Sequence, residues 1–239
     1  MKFKTFYNTV YFYLNAFIIM LSAYFKIIFK KYDWHKYVYD SKKIIDLIKR
    51  CGGKVYIDTK ELENVKPPVV LVSNHMSSLE AFIFGYIIGK YFKFTFVLKE
   101  SLIHYPIFGK IVKFLKPIAV SRENVKSDFK KVITETKSLF KENISVLVFP
   151  QATRSLTIDE EKFNSIGVKL SNIFKVPIVP ICVKTDFLTI GKYIKDLGKV
   201  DITKDVYVKV FKPIPPQEVN KSTNQKIVSC IKNYLLSIS

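Results

Sequence analysis

The chain has 239 residues, which is enough for one sizeable hydrophobic core with a small appendage. Its apolar content of 49% is high for a cytosolic domain, yet too low for a polytopic membrane protein. The formal net charge of +19 favours anionic partners such as acidic lipid, acidic carrier proteins or phosphorylated substrates, and a lysine-rich composition bias is the alternative explanation.

The first predicted element is an uncharged helix at residues 5–25, close to the minimum length for a membrane span. Three polar side chains, Asn8, Asn15 and Ser22, recur every seven residues and form a narrow stripe that Lys26 extends. Aromatic rings are frequent in the segment, and these rings and lysines prefer the membrane interface. We therefore expect a helix that lies in or dips into one leaflet, with a full span and a soluble core helix as the alternatives.

A second amphipathic helix is predicted at residues 34–50 and ends at Gly52 and Gly53, since glycine is common after a helix. The two helices predict a membrane-associating pair at residues 1–52. Residues 53–239 are then a single domain that carries the chemistry.

From Lys54 onward short β-rich runs alternate with helical stretches. This alternation predicts a layered α/β fold, in which helices flank a mostly parallel sheet that can include an antiparallel edge. The predicted strands are 69–72, 94–98, 145–149, 178–183 and 206–211. The predicted helices are 78–91, 105–115, 124–142, 163–174 and 218–236.

Residues 74–80 join the first of these strands to the first helix and contain His75 and Glu80. If His75 lies in the loop and Glu80 in the first helical turn, the carboxylate can accept the Nδ1 proton and leave Nε2 free as a general base. The alternative is a capping box, in which Ser77 caps the helix and Glu80 returns to the serine N–H.

Here the chain resembles the glycerolipid acyltransferase family, typified by 1-acylglycerol-3-phosphate acyltransferases. The first block of that family reads N-H-x-x-x-x-D, and Asn74, His75 and Glu80 stand at its positions. Glu80 in place of Asp lengthens the carboxylate arm by one methylene group, which changes how the histidine is oriented.

A second block at residues 99–109 is similar to the family's K-x-E-L-x-x-x-P-x-x-G. Leu102, Pro106 and Gly109 match it, while Ser101 stands at the acidic position. Residues 118–122 then resemble the family's strand that ends in an arginine, here Arg122. Without the resemblance, this proline and glycine would indicate only a turn.

The third block, at residues 149–155, is similar to the family's F-P-E-G-T-R-S. Hydroxyl groups and a guanidinium group after a buried strand suit a phosphate, and an ordinary polar turn is the alternative. Gln151 supplies no negative charge, and Ala152 argues against a backbone with positive φ at that position. The matching residues are Phe149, Pro150, Thr153, Arg154 and Ser155.

The fourth block, at residues 176–180, resembles the family's V-P-I-V-P. Pro177 is predicted to begin a buried strand and, as a secondary role, to help shape an acyl pocket.

The resemblance implies an O-acyltransferase that moves a fatty acyl group from acyl-CoA or acyl carrier protein to a lysophospholipid hydroxyl, most simply 1-acylglycerol-3-phosphate. His75 and Glu80 would be catalytic. Asn74, Arg122, Thr153, Arg154 and Ser155 would bind substrate, and Pro106, Gly109, Phe149, Pro150 and Pro177 would be structural or pocket residues.

The expected location is the cytoplasmic face of an anionic membrane, with no nucleic acid partner. Two alternatives remain: another acceptor, such as a glycolipid or an aminoacyl lipid, and a non-catalytic basic protein that docks on membranes. No cofactor is expected. The cysteines and histidines show no metal-ligand spacing, which predicts reduced thiols and no metal site. They are Cys51, Cys182, Cys230, His35, His75 and His104.

Overall fold

A computed structural model describes residues 2–192 and 197–238. Strands and helices alternate along these residues, and short 3-10 helices lie at Lys60–Leu62, Glu100–His104 and Pro216–Glu218. The strands are β1 (Val55–Asp58), β2 (Val70–Ser73), β3 (Phe94–Lys99), β4 (Ile118–Val120), β5 (Ser145–Val148), β6 (Ile178–Lys184) and β7 (Val206–Val210). The helices are α1 (Lys2–Ile28), α2 (Trp34–Arg50), α3 (Glu80–Ile87), α4 (Phe108–Phe114), α5 (Val125–Lys141), α6 (Ile166–Phe174) and α7 (Thr223–Ser237).

The strands form one sheet in the order β1-β7-β6-β2-β5-β3-β4. Strands β2 to β6 are parallel to one another, whereas β7 runs antiparallel to β6 and parallel to β1. The carboxyl ends of the five parallel strands therefore lie at one edge of the sheet, called the carboxyl edge below. The predicted α/β fold, with a mostly parallel sheet flanked by helices, is confirmed.

Helices cover both faces of this sheet. In β2, Leu71 packs into the core beneath α1–α4, whereas Val70 and Val72 pack into the core beneath α5–α7. Successive side chains of a strand point to opposite faces, so a strand covered on both sides is apolar throughout. This is why β2, β5 and β6 are continuous apolar runs in the sequence.

The five predicted strands omit β1, and β4 is apparent only through the family resemblance. Strand β1 is four residues long and alternates half-buried and exposed side chains, because it is the sheet edge beyond β7. The predicted helix at 78–91 is shorter in the structure and begins at Glu80. Helix α4 likewise begins at Phe108, after the 3-10 turn of Glu100–His104.

Helix α1 packs on the domain with one face only. Asn8, Phe12 and Ala16 are buried, and the ring of Phe12 lies 6.3 Å from that of Phe187. The predicted polar stripe begins on this inward face, with Asn8 only 7% exposed. The opposite face exposes large apolar side chains: Phe3, Phe6, Tyr7, Val10, Leu14, Phe17, Ile18, Phe25 and Ile28.

Among the described residues, α1 is the one helix whose length and composition would also allow it to cross a membrane. Helix α2, in contrast, is part of the core. Ile44, Leu47 and Ile48 share a cluster with sheet residues, and Trp34 Nε1 donates to the Gly89 carbonyl at 2.8 Å. The division at residue 52 stays a prediction, since the described packing runs continuously through it.

Candidate active site

The loop at residues 74–80, called the histidine loop below, follows β2 at the carboxyl edge. Asn74 fixes its start, because its Nδ2 donates to the Val183 carbonyl at 2.7 Å and its Oδ1 accepts from the Val183 N–H at 2.8 Å. The side chain is 1% exposed. Asn74 was predicted to bind substrate, but the geometry favours a different role: it holds the loop against β6.

His75 and Glu80 meet within this loop. His75 Nδ1 lies 2.5 Å from Glu80 Oε2, and the imidazole stacks on the Phe149 ring with centroids 4.3 Å apart. The histidine side chain is 23% exposed, whereas the glutamate is fully buried. A carboxylate at one nitrogen and an aromatic ring against one face fix the imidazole, so Nε2 is the nitrogen left to exchange a proton with a substrate.

The other oxygen of Glu80 closes the histidine loop. Oε1 accepts from the backbone N–H groups of Met76 at 3.1 Å and Ser77 at 2.8 Å, and from the Thr185 hydroxyl. With His75 on Oε2, the carboxylate interacts with four donors, three of them on Oε1. One oxygen therefore orients the histidine, and the other makes the contact to the Ser77 N–H that a capping box predicts. Ser77 does not cap the helix, because its hydroxyl accepts from the Leu79 N–H and the helix begins at Glu80.

Thr185 is a site residue that no sequence motif predicted. It follows β6, far along the chain from the histidine loop, and its side chain is fully buried. Only the parallel pairing of β2 with β6 brings it to Glu80.

The loop at residues 149–155, called the FP loop below, follows β5 and lies beside His75. The Ser155 N–H donates to the His75 carbonyl at 2.9 Å. Arg154 is half-buried next to this contact, and Thr153 is exposed. The third sequence block, which follows the neighbouring strand β5, therefore lies next to the first block, which contains His75.

The expectation that Ala152 avoids a positive φ is wrong. Its φ is 57°, because two consecutive tight turns, from Ala152 N–H to the Phe149 carbonyl and from Thr153 N–H to the Gln151 carbonyl, reverse the chain here. A non-glycine residue in this region costs about 1–2 kcal/mol. The loop therefore keeps a backbone that suits glycine, although the sequence provides alanine.

Gln151 closes the FP loop from inside. It is 7% exposed, and its Nε2 donates to the Thr157 carbonyl at 3.0 Å. Its Oε1 is buried without a hydrogen-bond partner among the described residues. The position thus holds a neutral acceptor.

Arg122 lies farther from His75. It follows β4, which is three strands away from β2, or about 14 Å at the usual strand spacing. Its side chain is exposed, while its backbone N–H donates to Asp128 at 2.7 Å. Among the predicted substrate-binding residues, Arg122 therefore lies after the strand that is farthest from His75.

Two of the predicted structural residues lie in the second block. A Cβ atom at Gly109 would stand 2.4 Å from the Ile103 carbonyl oxygen, so only glycine fits between α4 and the preceding 3-10 turn. Pro106 is exposed in the connection between these two elements.

Pro150 and Pro177 lie at opposite edges of the sheet. The Pro150 carbonyl in the FP loop accepts from Asn164 Nδ2 at 2.5 Å. The Pro177 carbonyl accepts from the Val70 N–H at 3.0 Å, at the start of β2. Because the length of β2 separates Val70 from His75, Pro177 is about 16 Å from the site, which supports its structural role and not a pocket role beside His75.

The cysteine side chains lie away from this network. Burial raises the pKa of Cys51 to about 11 and raises the pKa of Cys182 further, so both remain thiols at neutral pH. Cys230 is exposed. The described residues hold no group of three or more histidine, cysteine or acidic side chains placed to share a metal ion.

A parallel α/β sheet with a histidine–carboxylate pair at its carboxyl edge defines a class of enzyme site suited to proton transfer from an alcohol. The family model Acyltransferase matches residues 54–184, which include both the histidine loop and the FP loop. Because this match covers more than half of the sequence, the chain belongs to this acyltransferase family.

Individual relatives agree with this assignment. The 1-acyl-sn-glycerol-3-phosphate acyltransferase of Pseudomonas aeruginosa is 32% identical over 133 residues, which are 55% of this chain and 51% of that protein. A probable enzyme of the same name from Mycoplasma pneumoniae is 27% identical over 186 residues, covering 74% and 68%. The chain spans about half the length of the first of these relatives.

The fold is also that of a solved structure, the 1-acyl-sn-glycerophosphate acyltransferase of Thermotoga maritima. The two share 18% sequence identity and superpose with a TM-score of 0.73, covering 99% of this chain and 97% of the other. At this identity the likeness establishes the fold, including the helices that precede the sheet.

Proposed function

We propose that this protein is an O-acyltransferase of the membrane surface, which transfers a fatty acyl group from acyl-CoA or acyl carrier protein to the free hydroxyl of 1-acylglycerol-3-phosphate. The observation that carries the proposal is the 2.5 Å contact between His75 Nδ1 and the buried Glu80. The family membership and the names of the relatives supply the reaction class and the acceptor.

The reaction follows from the orientation of the imidazole. His75 Nε2 removes the proton of the acceptor hydroxyl while the oxygen attacks the thioester carbonyl. The thiolate then leaves and takes the proton from the imidazolium, so that an ester and a free thiol are formed. Glu80 accepts a hydrogen bond from the Nδ1–H group throughout, stays ionised, and stabilises the imidazolium. A thioester is already activated, so the proposal needs no metal and no cofactor.

The acceptor phosphate is assigned to the FP loop. Arg154 precedes the Ser155 N–H that contacts the His75 carbonyl and supplies a planar guanidinium group to this loop, while Ser155 and Thr153 supply hydroxyl groups. Arg122, about 14 Å away across the sheet, is positioned for a distal phosphate or headgroup.

Membrane association is assigned to the exposed face of α1. This helix is held against the domain from end to end, by Thr9 with the Val200 N–H at 3.0 Å near its start and by Lys26 with Asp40 at 3.6 Å near its end. A helix fixed along its length cannot cross a bilayer unless the domain enters it as well. We therefore propose that α1 lies in the plane of one leaflet, on the cytoplasmic side, with Phe6, Leu14 and Phe17 immersed.

The test is acyl transfer by the purified full-length protein in liposomes, with a panel of lysolipids, monoacylglycerol and both thioester donors. We expect transfer to 1-acylglycerol-3-phosphate, and His75→Ala should reduce the turnover about 10²–10⁴-fold. The matched control is His35→Ala, which removes an exposed imidazole from α2. Near-normal turnover by His75→Ala would refute the mechanism, and transfer to none of the acceptors would refute the function.

A further inference from the structure

A cavity of about 230 Å³ adjoins the histidine loop on the side of β6 and β7. Met76, which follows His75, forms part of its wall, as does Lys184, which precedes Thr185. The cavity therefore opens beside the same residues that hold Glu80. Its lining consists of Met76, Leu156, Lys184, Asp186, Lys204 and Leu235, and we call it the basic cavity.

The basic cavity has an excess of positive charge. Lys184 Nζ lies 2.9 Å from Asp186 Oδ1, and Lys204 Nζ lies 3.7 Å from Asp186 Oδ2. Two ammonium groups thus share a single carboxylate. The Lys184 and Asp186 side chains are only 14% and 16% exposed, so water and salt screen them less than they screen surface charges.

Asp186 neutralises one of the two ammonium groups, so this group of three side chains leaves one positive charge at the cavity. Lys184 is the less exposed of the two lysines, so water screens its charge less than it screens the charge of Lys204. Lys204 is 48% exposed and can turn from Asp186 toward a group that enters the cavity. The uncompensated charge and the open space beside it point to an anionic ligand.

The size of the cavity limits what can enter. Pockets that enclose a whole small molecule usually measure about 300–1,000 Å³, so 230 Å³ fits one functional group of a larger ligand. Lysine binds phosphate as a point charge that requires no fixed angle, which suits an oxygen-rich group held between two ammonium groups.

The position of the cavity relative to His75 indicates how an anionic group bound there would contribute to the reaction. The FP loop and Arg122 follow β5 and β4, on one side of β2, whereas Lys184 ends β6 and Lys204 precedes β7, on the other side. The proposed reaction joins two substrates at His75, and each carries phosphate. Leu156, which follows the FP loop, also lines the basic cavity, so the two candidate phosphate sites adjoin and the second lies on the β6 side of the histidine.

We infer that the basic cavity is a second phosphate-binding subsite, in which Lys184 and Lys204 hold a phosphate group of one of the two substrates. The inference rests on the proposed function, because it assumes that two phosphate-bearing substrates react at His75. The group comes either from the donor's CoA or phosphopantetheine portion or from the lysolipid headgroup, and the chemistry recognised is the same.

The first test is steady-state kinetics of Lys204→Gln and Lys184→Gln in the full-length protein. Losing a charge-assisted contact should raise one KM roughly tenfold or more. A higher KM for acyl-CoA identifies the donor as the source, and a higher KM for the lysophospholipid identifies the acceptor. Lys204→Arg keeps the charge and should stay within about threefold of the unmodified protein.

The matched control is Lys141→Gln, which removes the same charge from an exposed position at the end of α5. This helix leads into the start of β5, so Lys141 lies toward the edge of the sheet opposite to the carboxyl edge. Both KM values should be unchanged. If the Lys184 and Lys204 variants match this control while turnover is normal, the subsite is refuted and the proposed function stands.

A second readout requires no turnover. Titration calorimetry with CoA and with glycerol 3-phosphate measures binding to the folded protein, with folding checked by circular dichroism. We expect Lys204→Gln to weaken the binding of one of the two probes roughly tenfold. Such weakening in a protein that transfers no acyl group would support the subsite and refute the proposed function, whereas unchanged binding of both probes would refute the subsite.

Discussion

The histidine loop buries a charged side chain, whereas helix α1 exposes apolar side chains. In the histidine loop a carboxylate is fully buried, and four donors surround it: one imidazole, one hydroxyl and two backbone N–H groups. On α1 large aromatic and aliphatic side chains are exposed along the whole helix. Both arrangements are unfavourable for a folded protein in water unless other groups offset their cost. The groups that do so differ between the two regions.

In the histidine loop, hydrogen bonds from the protein itself offset the cost of burying the carboxylate. The exposed face of α1 has no such partner among the described residues, so its compensation must come from outside. Under the proposed function, this difference separates the part of the molecule that would perform the chemistry from the part that would bind the membrane. It also predicts that substitutions in the two regions affect different measurements.

The largest effect is expected for Glu80→Gln. Glutamine can keep its carbonyl toward Met76 and Ser77, but its amide group would then face His75 Nδ1 and require that nitrogen to accept. The proton would move to Nε2, and the base would be lost. We expect a loss of turnover of about 10²–10⁴-fold.

Thermal unfolding should show that Glu80→Gln remains folded, and liposome flotation should show unchanged binding. Turnover within a few fold of the unmodified enzyme would mean that Glu80 acts only on the backbone of the loop.

The second-largest effect is expected for substitutions on the exposed face of α1. Replacing Val10, Leu14 and Phe17 with serine removes apolar surface from the exposed face, where these side chains are 50%, 57% and 46% exposed. A fully buried side chain of this kind is worth about 1.5–3 kcal/mol. Binding to anionic liposomes should therefore weaken at least about tenfold, as measured by flotation, while the melting temperature changes little.

The control on the same helix is Phe12→Ser, since Phe12 is 3% exposed and packs on Phe187. It should lower the melting temperature. If the triple variant binds liposomes as well as the unmodified protein, α1 does not form the membrane contact.

The third effect is expected for Thr185→Val, which keeps the shape of the side chain and removes the hydroxyl that donates to Glu80. A buried carboxylate that loses one donor should destabilise the fold by about 1–3 kcal/mol. The loss of orientation should reduce kcat roughly tenfold, with KM unchanged. Thr185→Ser should restore most of kcat, and an equal loss in both variants would exclude the hydrogen bond as the cause.

The smallest effect is expected for Ala152→Gly in the FP loop. Glycine relieves about 1–2 kcal/mol of backbone strain at φ 57°, but it loses about 0.4–1 kcal/mol more entropy on folding. Urea unfolding should therefore show a net stabilisation between about zero and 1.6 kcal/mol. A clear destabilisation would mean that the alanine methyl group makes a contact that outweighs the strain.

Much of the fold could be predicted because β2, β5 and β6, which are covered on both faces, are largely apolar runs. The loop between β2 and α3 was predicted together with the contact between His75 and Glu80, since these two residues are close in sequence. Strand β1 was missed because an edge strand needs no continuous apolar run. The prediction at Ala152 was wrong because the turn is set by hydrogen bonds within the FP loop, which outweigh the preference of a single residue.

Local pattern and short spacing along the chain were sufficient to establish most of the elements, the α/β class and the histidine–carboxylate pair. Tertiary structure was needed to show that Thr185 completes the surroundings of Glu80, that the polar stripe of α1 starts on its inward face, and that Lys184 and Lys204 meet at one carboxylate. These features depend on which strands are neighbours and on which side a helix packs, and such long-range contacts leave no periodic signal in the chain.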